Sequence, residues 1–144
     1  MSRSGYSDDW DGDGLPPEFY RRAVRSAIQG KRGQAFLREM AAAMDAMPEK
    51  RLIAHELEKD GEVCAIGTVG RARGVDQSKL DPEAPWDIAA AFGIAECLVK
   101  EIEFENDDDF CYARSHETPE ERWARMRLWV ANRIFDEPTA KATP

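Results

Sequence analysis

The feature that most constrains the fold is an apolar helical stripe between two clear helix ends, near the end of the chain. Its start is Thr118-Pro119-Glu120-Glu121, where a hydroxyl can cap the first amides and proline suits the first helical position. The two glutamates lie at the positive end of the helix dipole, and Pro138 marks the end of the segment. The apolar residues between are Trp123, Met126, Val130 and Ile134. Their spacing predicts an amphipathic helix packed on a core.

Three earlier stretches show the same spacing. The first opens at Pro17, with Tyr20, Val24 and Ala27/Ile28 inward, and Gly30-Lys31-Arg32-Gly33 breaks it. The second runs from Phe36 to Met47 and stops at Pro48. The third has Ile88, Phe92, Ala95, Val99 and Ile102, an apolar face sustained over about four turns. These stretches predict a mainly α fold, a single-domain bundle of four to five helices.

Residues 50–74 leave two interpretations open. Asp60-Gly61 suits the turn of a short β-hairpin near 50–66. Residues 63–73 also suit a helix rich in small side chains, with Gly74 just past its end. We favour the helix for 63–73 and keep the hairpin as the alternative.

The 144 residues suit one domain that buries most of its apolar surface. Residues 1–14 are polar, acidic and glycine-rich, which predicts a mobile arm; 15–136 form the helical domain and 137–144 a disordered tail. The first 13 residues lack an apolar stretch, so no secretory signal is expected, and no run is long enough for a membrane span. Three cysteines without close pairs are typical of reduced thiols in a cytosol.

Charge is segregated along the chain. Residues 75–118 hold twelve carboxylates against three cations, a net charge of −9, whereas 20–51 hold eight cations against three carboxylates, a net charge of +5. Six of the acids lie within nine residues, at 101, 103, 105, 107, 108 and 109. Carboxylates at a helix C-terminus oppose the dipole and one another. We therefore predict that Glu101, Glu103, Glu105, Asp107, Asp108 and Asp109 form a surface for a basic partner.

Two smaller groups are further candidates for binding. Arg125 and Arg133 lie four residues either side of Trp129, where both can contact its ring, and arginine–aromatic faces favour protein interfaces. Arg125 and Trp129 therefore join the predicted partner-binding residues; the alternative is that these arginines meet the acidic helix end within the chain. Lys31 and Arg32, just before a helix, are a candidate anion site, against an ordinary interhelix turn with solvated cations.

Motifs for chemistry are weak. Residues 9–14 match the first half of a calcium loop, but Tyr20 occupies the position of the bidentate glutamate. No cysteine or histidine spacing fits structural zinc, and Gly67, Gly70 and Gly74 fit no phosphate-binding loop. Close helix packing explains those glycines better. We predict no metal site, no cofactor and no catalytic residue.

Several blocks spread over nearly the whole chain are similar to a known group of proteins. They are MSRSGYSDD at 1–9, CAIG at 64–67, RARGVD at 71–76, FGIA at 92–95, END at 105–107, ETPEERW at 117–123 and RMRLWV at 125–130. With these blocks the chain resembles a group of small phage and prophage proteins of unknown function. The resemblance implies a phage or prophage gene that works in the cytoplasm of a bacterial host. It brings no known catalytic residues.

Together these features predict an accessory protein, not an enzyme, that binds a host or phage protein through its acidic surface. One version is inhibition of a host defence or nucleic-acid-handling complex, in which carboxylates stand in for phosphates. The alternatives are a nucleic-acid-binding regulator that uses the basic 20–51 segment, and a small enzyme of unknown reaction. A homo-oligomer stays open. A membrane partner is not expected.

Overall fold

A computed structural model describes Arg3 and residues 17–107 and 116–135. Its elements, in chain order, are α1 (Pro17–Gln29), α2 (Lys31–Asp45), β1 (Glu58–Lys59), β2 (Glu62–Val63), α3 (Ala65–Arg73), a 3-10 turn (Gln77–Lys79), α4 (Pro85–Phe92), α5 (Glu96–Asp107) and α6 (Pro119–Ala131). The predicted mainly helical single domain with a short hairpin is confirmed. Apart from Arg3, the predicted arm 1–14 and its calcium-loop motif lie outside the described residues, as does the predicted tail 137–144.

Residues 50–74 contain both of the predicted structures, one after the other. Asp60 and Gly61 have φ angles of 53° and 80°, which lets two residues join the antiparallel strands β1 and β2. One residue later, Cys64 caps α3 by accepting a hydrogen bond from the Gly67 N–H. Gly74 ends α3 at a φ of 75°. The hairpin and the helix were alternatives only because Val63 and Cys64 suit the end of one and the start of the other.

The apolar stripe from Ile88 to Ile102, predicted as one helix, belongs to two. Gly93 takes a φ of 73° and ends α4, and α5 begins three residues later. A residue without a Cβ adopts this left-handed conformation at little cost, so the chain turns there. The apolar spacing continues across the break because α4 and α5 pack against each other as well as on the core. The described residues therefore contain six α-helices, one more than the predicted maximum.

Two central helices hold the core together. α2 packs against α1, α3 and α6, and α5 packs against α1, α3, α4 and α6. Leu37, Met40, Met44, Leu98 and Ile102 from these two helices are fully buried. Close packing through a small residue, expected from the sequence, is confirmed at Gly67, where an added Cβ would lie 2.0 Å from the Leu57 carbonyl oxygen. No described helix is long and apolar enough to cross a membrane.

The predicted start of α6 is confirmed in detail. The Thr118 hydroxyl accepts a hydrogen bond from the Glu121 N–H at 3.1 Å, and the Glu121 carboxylate accepts one from the Thr118 N–H at 2.9 Å. Met126 and Val130 are fully buried, and the Trp123 indole N–H donates to the Met44 carbonyl at 3.3 Å. This reciprocal cap fixes where α6 starts on α2 and on the loop after it.

Candidate functional site

The predicted acidic surface on α5 is wrong for two of its members. Glu103 is only 1% exposed and Asp107 only 2% exposed, so neither can meet a partner at the surface. The reason is that four helices pack around α5. They bury a wider part of its surface than the single apolar stripe that the sequence shows. Asp108 and Asp109 lie outside the described residues.

A cation from the start of the chain accompanies these buried acids. The Arg3 Nε donates to Asp107 Oδ2 at 2.7 Å and its Nη2 donates to Oδ1 at 3.0 Å, a bidentate pair. Arg3 Nη1 lies 3.7 Å from Glu103 Oε2. All three side chains are at most 2% exposed. The sequence offered no signal for this cluster, because Arg3 stands 100 residues from its nearest acidic partner in a segment without periodicity.

The two buried carboxyl groups respond to this environment in opposite ways. Burial raises the pKa of Glu103 to about 8, although the charge of Arg3 opposes the rise. Burial would also raise the pKa of Asp107, but the charge and hydrogen bonds of Arg3 outweigh it and hold that pKa below its ordinary value. The Asn106 side chain and the His55 N–H add further hydrogen bonds to Asp107. At neutral pH the cluster therefore holds one firm Arg–Asp ion pair and a largely protonated glutamic acid.

Three further residues of the predicted partner surface, Glu101, Glu105 and Arg125, are half-buried, and Arg125 forms its contacts within the chain. Glu105 is half-buried and its Oε1 lies 4.0 Å from Arg125 Nη1. Arg125 pairs with Glu117 at 2.7 and 3.0 Å and also donates to the carbonyls of Glu105 and Asn106. The alternative in which α6 arginines meet the acidic end of α5 is therefore correct for Arg125. Glu101 is half-buried.

The prediction that Trp129 belongs to a partner surface is also wrong. Its side chain is part of the core and 7% exposed, because it sits on the buried side of α6 beside Met126 and Val130. Arg133 does lie against its ring, with the guanidinium carbon 4.4 Å from the ring centre. Arg125 does not share this contact, since its guanidinium is occupied by Glu117. The cation–π pair on α6 is thus an internal one.

A group of exposed cations with no ion pair to a described carboxylate lies on α1 and at the start of α2. Arg21, Arg22, Arg25, Lys31 and Arg32 are all exposed, and none forms an ion pair with a carboxylate of the described residues. Arg22 lies over the Phe19 ring, 5.3 Å from its centre, and Arg32 donates to the Gly93 carbonyl at 3.5 Å. These five cations therefore do not neutralise the described part of the acidic segment.

A groove of about 760 Å³ runs along α1 beside these cations. Its residues come from α1, from α5 and from the chain just after α6: Tyr20, Arg21, Val24, Arg25, Ile28, Gln29, Glu101, Phe104, Asn132, Arg133 and Phe135. We call this the α1 groove. Its walls combine aliphatic and aromatic side chains with three arginines and one glutamate. The sequence holds a signal for this groove, since Arg21 and Arg25 flank the apolar stripe of α1 one turn apart.

The predicted anion site is incomplete. Lys31 and Arg32 are exposed at the first turn of α2 beside a pocket of about 210 Å³, which Ser26, Ala27, Gly30, Gly33 and Ala95 also line. Gly30 caps α2 with no side-chain hydrogen bond. The carbonyl oxygen of Ala27 approaches Gly33 so closely that an added Cβ would lie 1.8 Å from it. An oxygen acceptor in this position opposes an anion, and the described residues add no further cation to the pocket.

The described residues show neither a metal-binding cluster nor an activated thiol. In the described ranges no three His, Cys, Asp or Glu side chains are arranged to hold a metal ion. Cys64 is buried, and burial raises the pKa of its thiol; burial likewise raises the pKa of Cys97. Both thiols are therefore protonated and poorly nucleophilic at neutral pH. Cys111 lies outside the described residues.

No protein-family model, curated protein or solved structure matches this chain.

Proposed function

We propose that this protein works by binding another protein in the α1 groove, and that the partner offers a segment with both acidic and apolar side chains. The observation that carries the proposal is the pairing of an open, partly apolar groove with exposed arginines that have no carboxylate among the described residues. The proposed partner has the opposite charge to the basic partner expected from the sequence.

The distribution of ion pairs supports this choice. Most of the other described arginines have carboxylate partners, for example Arg73 with Glu39 at 2.7 Å, Arg127 with Asp45 at 2.8 Å and Arg125 with Glu117 at 2.7 Å. Arg21 and Arg25 instead lie one turn apart on α1 with like charge, an arrangement that costs about 0.2–0.5 kcal/mol in a helix. An acidic partner would remove this repulsion and gain from the positive potential.

The apolar part of the groove supports a protein rather than a small anion. Tyr20 and Val24 form a buried floor, whereas Phe135 is 47% exposed at the rim. Arginine and aromatic side chains around a desolvated centre are the composition of binding hot spots. An amphipathic acidic helix could lay its apolar face on this floor and its carboxylates against the arginines.

The resemblance to phage and prophage proteins gives the proposal a setting. It favours a partner among the phage's own proteins or those of a bacterial host, in the cytoplasm, and inhibition of a host complex stays one version. The version in which the acidic run of α5 imitates nucleic-acid phosphates has lost support, because Glu103 and Asp107 are buried and Asp107 is already paired.

Affinity capture from a bacterial host lysate tests the proposal with two charge-reversal variants. Arg21→Glu with Arg25→Glu alters the α1 groove, while Lys59→Glu with Lys79→Glu makes the same change in net charge at exposed positions outside it. We expect the wild type and the lysine variant to retain the same protein and the arginine variant to lose it. Equal capture by all three would contradict the proposal. A short acidic peptide from the captured protein, titrated by fluorescence anisotropy, would then confirm direct contact.

A second candidate function, binding of nucleic acid, is favoured by one specific observation. Arg22, Lys31 and Arg32 extend the exposed cations beyond the groove and around the α1–α2 junction. The net charge of −8 opposes this function because the phosphate backbone is repelled by the rest of the molecule. If it is correct, labelled DNA binds at about 50 mM salt and is released steeply as salt rises. Absence of binding at low salt ends this candidate.

A further inference from the structure

The residues around Arg3 are held in place by hydrogen bonds in which Arg3 takes no part. The Asn106 side chain donates to Asp107 at 2.9 Å and to the Ile53 carbonyl at 2.9 Å, while its oxygen accepts from the Ala65 N–H at 3.0 Å. The His55 N–H donates to Asp107 Oδ1 at 3.1 Å. The Asp107 carboxylate is therefore held in place by α5 and the loop before β1. A carboxylate fixed in this way is a preformed receptor for a planar cation.

The cluster also has binding capacity that Arg3 leaves unused. Both carboxyl oxygens of Glu103 are buried and form no hydrogen bond with the described residues, and the same holds for Arg3 Nη1. These two groups face each other at 3.7 Å, just beyond hydrogen-bond distance. Buried polar atoms are usually satisfied, so an unsatisfied carboxyl aimed at an unsatisfied N–H marks a site whose ligand sits slightly off its best position. The backbone attached to Arg3 restrains its guanidinium; a free one has no such restraint.

From this arrangement we infer that Asp107 and Glu103, with Asn106 and His55 around them, form a guanidinium-binding site that Arg3 of the same chain fills. We call it the guanidinium pocket. The ligand class is an alkylguanidinium, whose fork of N–H groups matches a carboxylate in a way that an ammonium does not. Such a group can come from this chain or from an arginine of another chain. The inference does not depend on the α1 groove.

Chemical rescue tests the pocket. Replacing Arg3 by alanine leaves Asp107 buried without its partner, and we expect the melting temperature to fall by roughly 10 °C. Methylguanidinium chloride at about 10 mM, far below denaturing concentrations, should then raise the melting temperature of Arg3→Ala by about 4 °C if this is some ten times its dissociation constant. The wild type should not respond, because its pocket is filled.

Three controls make the result specific. Methylurea has a similar shape but no charge and should have no effect. Arg127→Ala removes a guanidinium from an exposed bidentate pair with Asp45 and should show no rescue. Arg3→Lys keeps the positive charge without the fork, so methylguanidinium should not stabilise it as it stabilises Arg3→Ala. Equal stabilisation of Arg3→Ala and Arg127→Ala by methylguanidinium would overturn the inference.

Two other outcomes for Arg3→Ala also support or overturn the inference. If Arg3→Ala melts like the wild type, Arg3 does not fill the pocket and the inference fails. If Arg3→Ala does not fold, recovery of its helical circular dichroism on titration with methylguanidinium supports the pocket, and no recovery at any concentration overturns it. A labelled peptide of residues 1–9, MSRSGYSDD, identifies the source of the guanidinium. It should bind Arg3→Ala but not the wild type, and a peptide with alanine at position 3 should bind neither.

Discussion

α1 and α5 are neighbouring helices of opposite net charge, and they differ in whether their charged side chains are buried or exposed. α5 turns two of its carboxyl groups inward, Glu103 and Asp107, where an arginine from the start of the chain accompanies them. α1 turns Arg21, Arg22 and Arg25 outward, where no described carboxylate pairs with them. The two helices pack against each other, yet their charges do not meet. Charge counted along the chain therefore says little about which charges a partner can reach.

The difference follows from how each helix is surrounded. α5 has helices on several sides, so side chains outside its apolar stripe are also buried and must find partners or lose their charge. Among the described residues α1 packs mainly on α2 and α5, and its exposed side adjoins the α1 groove. The inward charges then serve stability, and the outward charges belong to the surface that we propose for binding. Each of the following predictions sets one charged group against a matched control in a different environment.

The largest effect is expected from Asp107→Asn. The substitution removes the charge that Arg3 pairs with and leaves a buried guanidinium without its partner. Loss of one member of a buried ion pair typically costs about 3–5 kcal/mol of unfolding free energy. Asp45→Asn is the matched control, because Asp45 also forms a bidentate pair but is 53% exposed, and about 1 kcal/mol or less is expected there. Urea unfolding at neutral pH measures both; equal losses would show that the buried pair has no special role.

The second prediction concerns pH and Glu103. Its pKa rises from an ordinary 4.5 to about 8 in the folded protein, so between these values the folded state holds a proton that the unfolded state has lost. Stability from this proton is complete below pH 4.5 and disappears as the pH rises through 8. Glu103→Gln cannot lose a proton, so its stability relative to the wild type should increase by about 4 kcal/mol between pH 5 and pH 9.

Glu101→Gln is the control for this pH dependence, because Glu101 lies on the same helix and is half-buried rather than buried. It should keep the pH dependence of the wild type. Arg3, Asp107 and Lys100 also act on Glu103, but they are unchanged in both variants. Urea unfolding at a series of pH values measures the slope. A wild type and Glu103→Gln with parallel curves would mean that Glu103 is ionised in the folded protein at neutral pH.

The sequence predicts the helices of this fold better than it predicts the site. Local signals, such as the reciprocal cap at Thr118 and the Asp60-Gly61 turn, are sufficient because the interactions that decide them lie within a few residues. The split at Gly93 was missed because apolar spacing alone does not register a φ of 73°. The Arg3–Asp107 pair was missed because it joins residues 104 positions apart, and only the packing around α5 determines that Asp107 points inward.

The smallest change in unfolding free energy is expected from substitutions on α1, and it tests whether the exposed cations contribute to stability. Arg21→Ala with Arg25→Ala removes two exposed cations that have no described carboxylate, so the unfolding free energy should change by less than about 0.5 kcal/mol, with a slight gain from relieved repulsion. Arg125→Ala is the matched control on α6: it breaks the pair with Glu117, which is 8% exposed, and should cost about 2 kcal/mol. Urea unfolding compares the two. A loss above about 1 kcal/mol for the α1 double variant would mean that these arginines stabilise the fold, and the contrast between a structural α5 and a binding α1 would no longer hold.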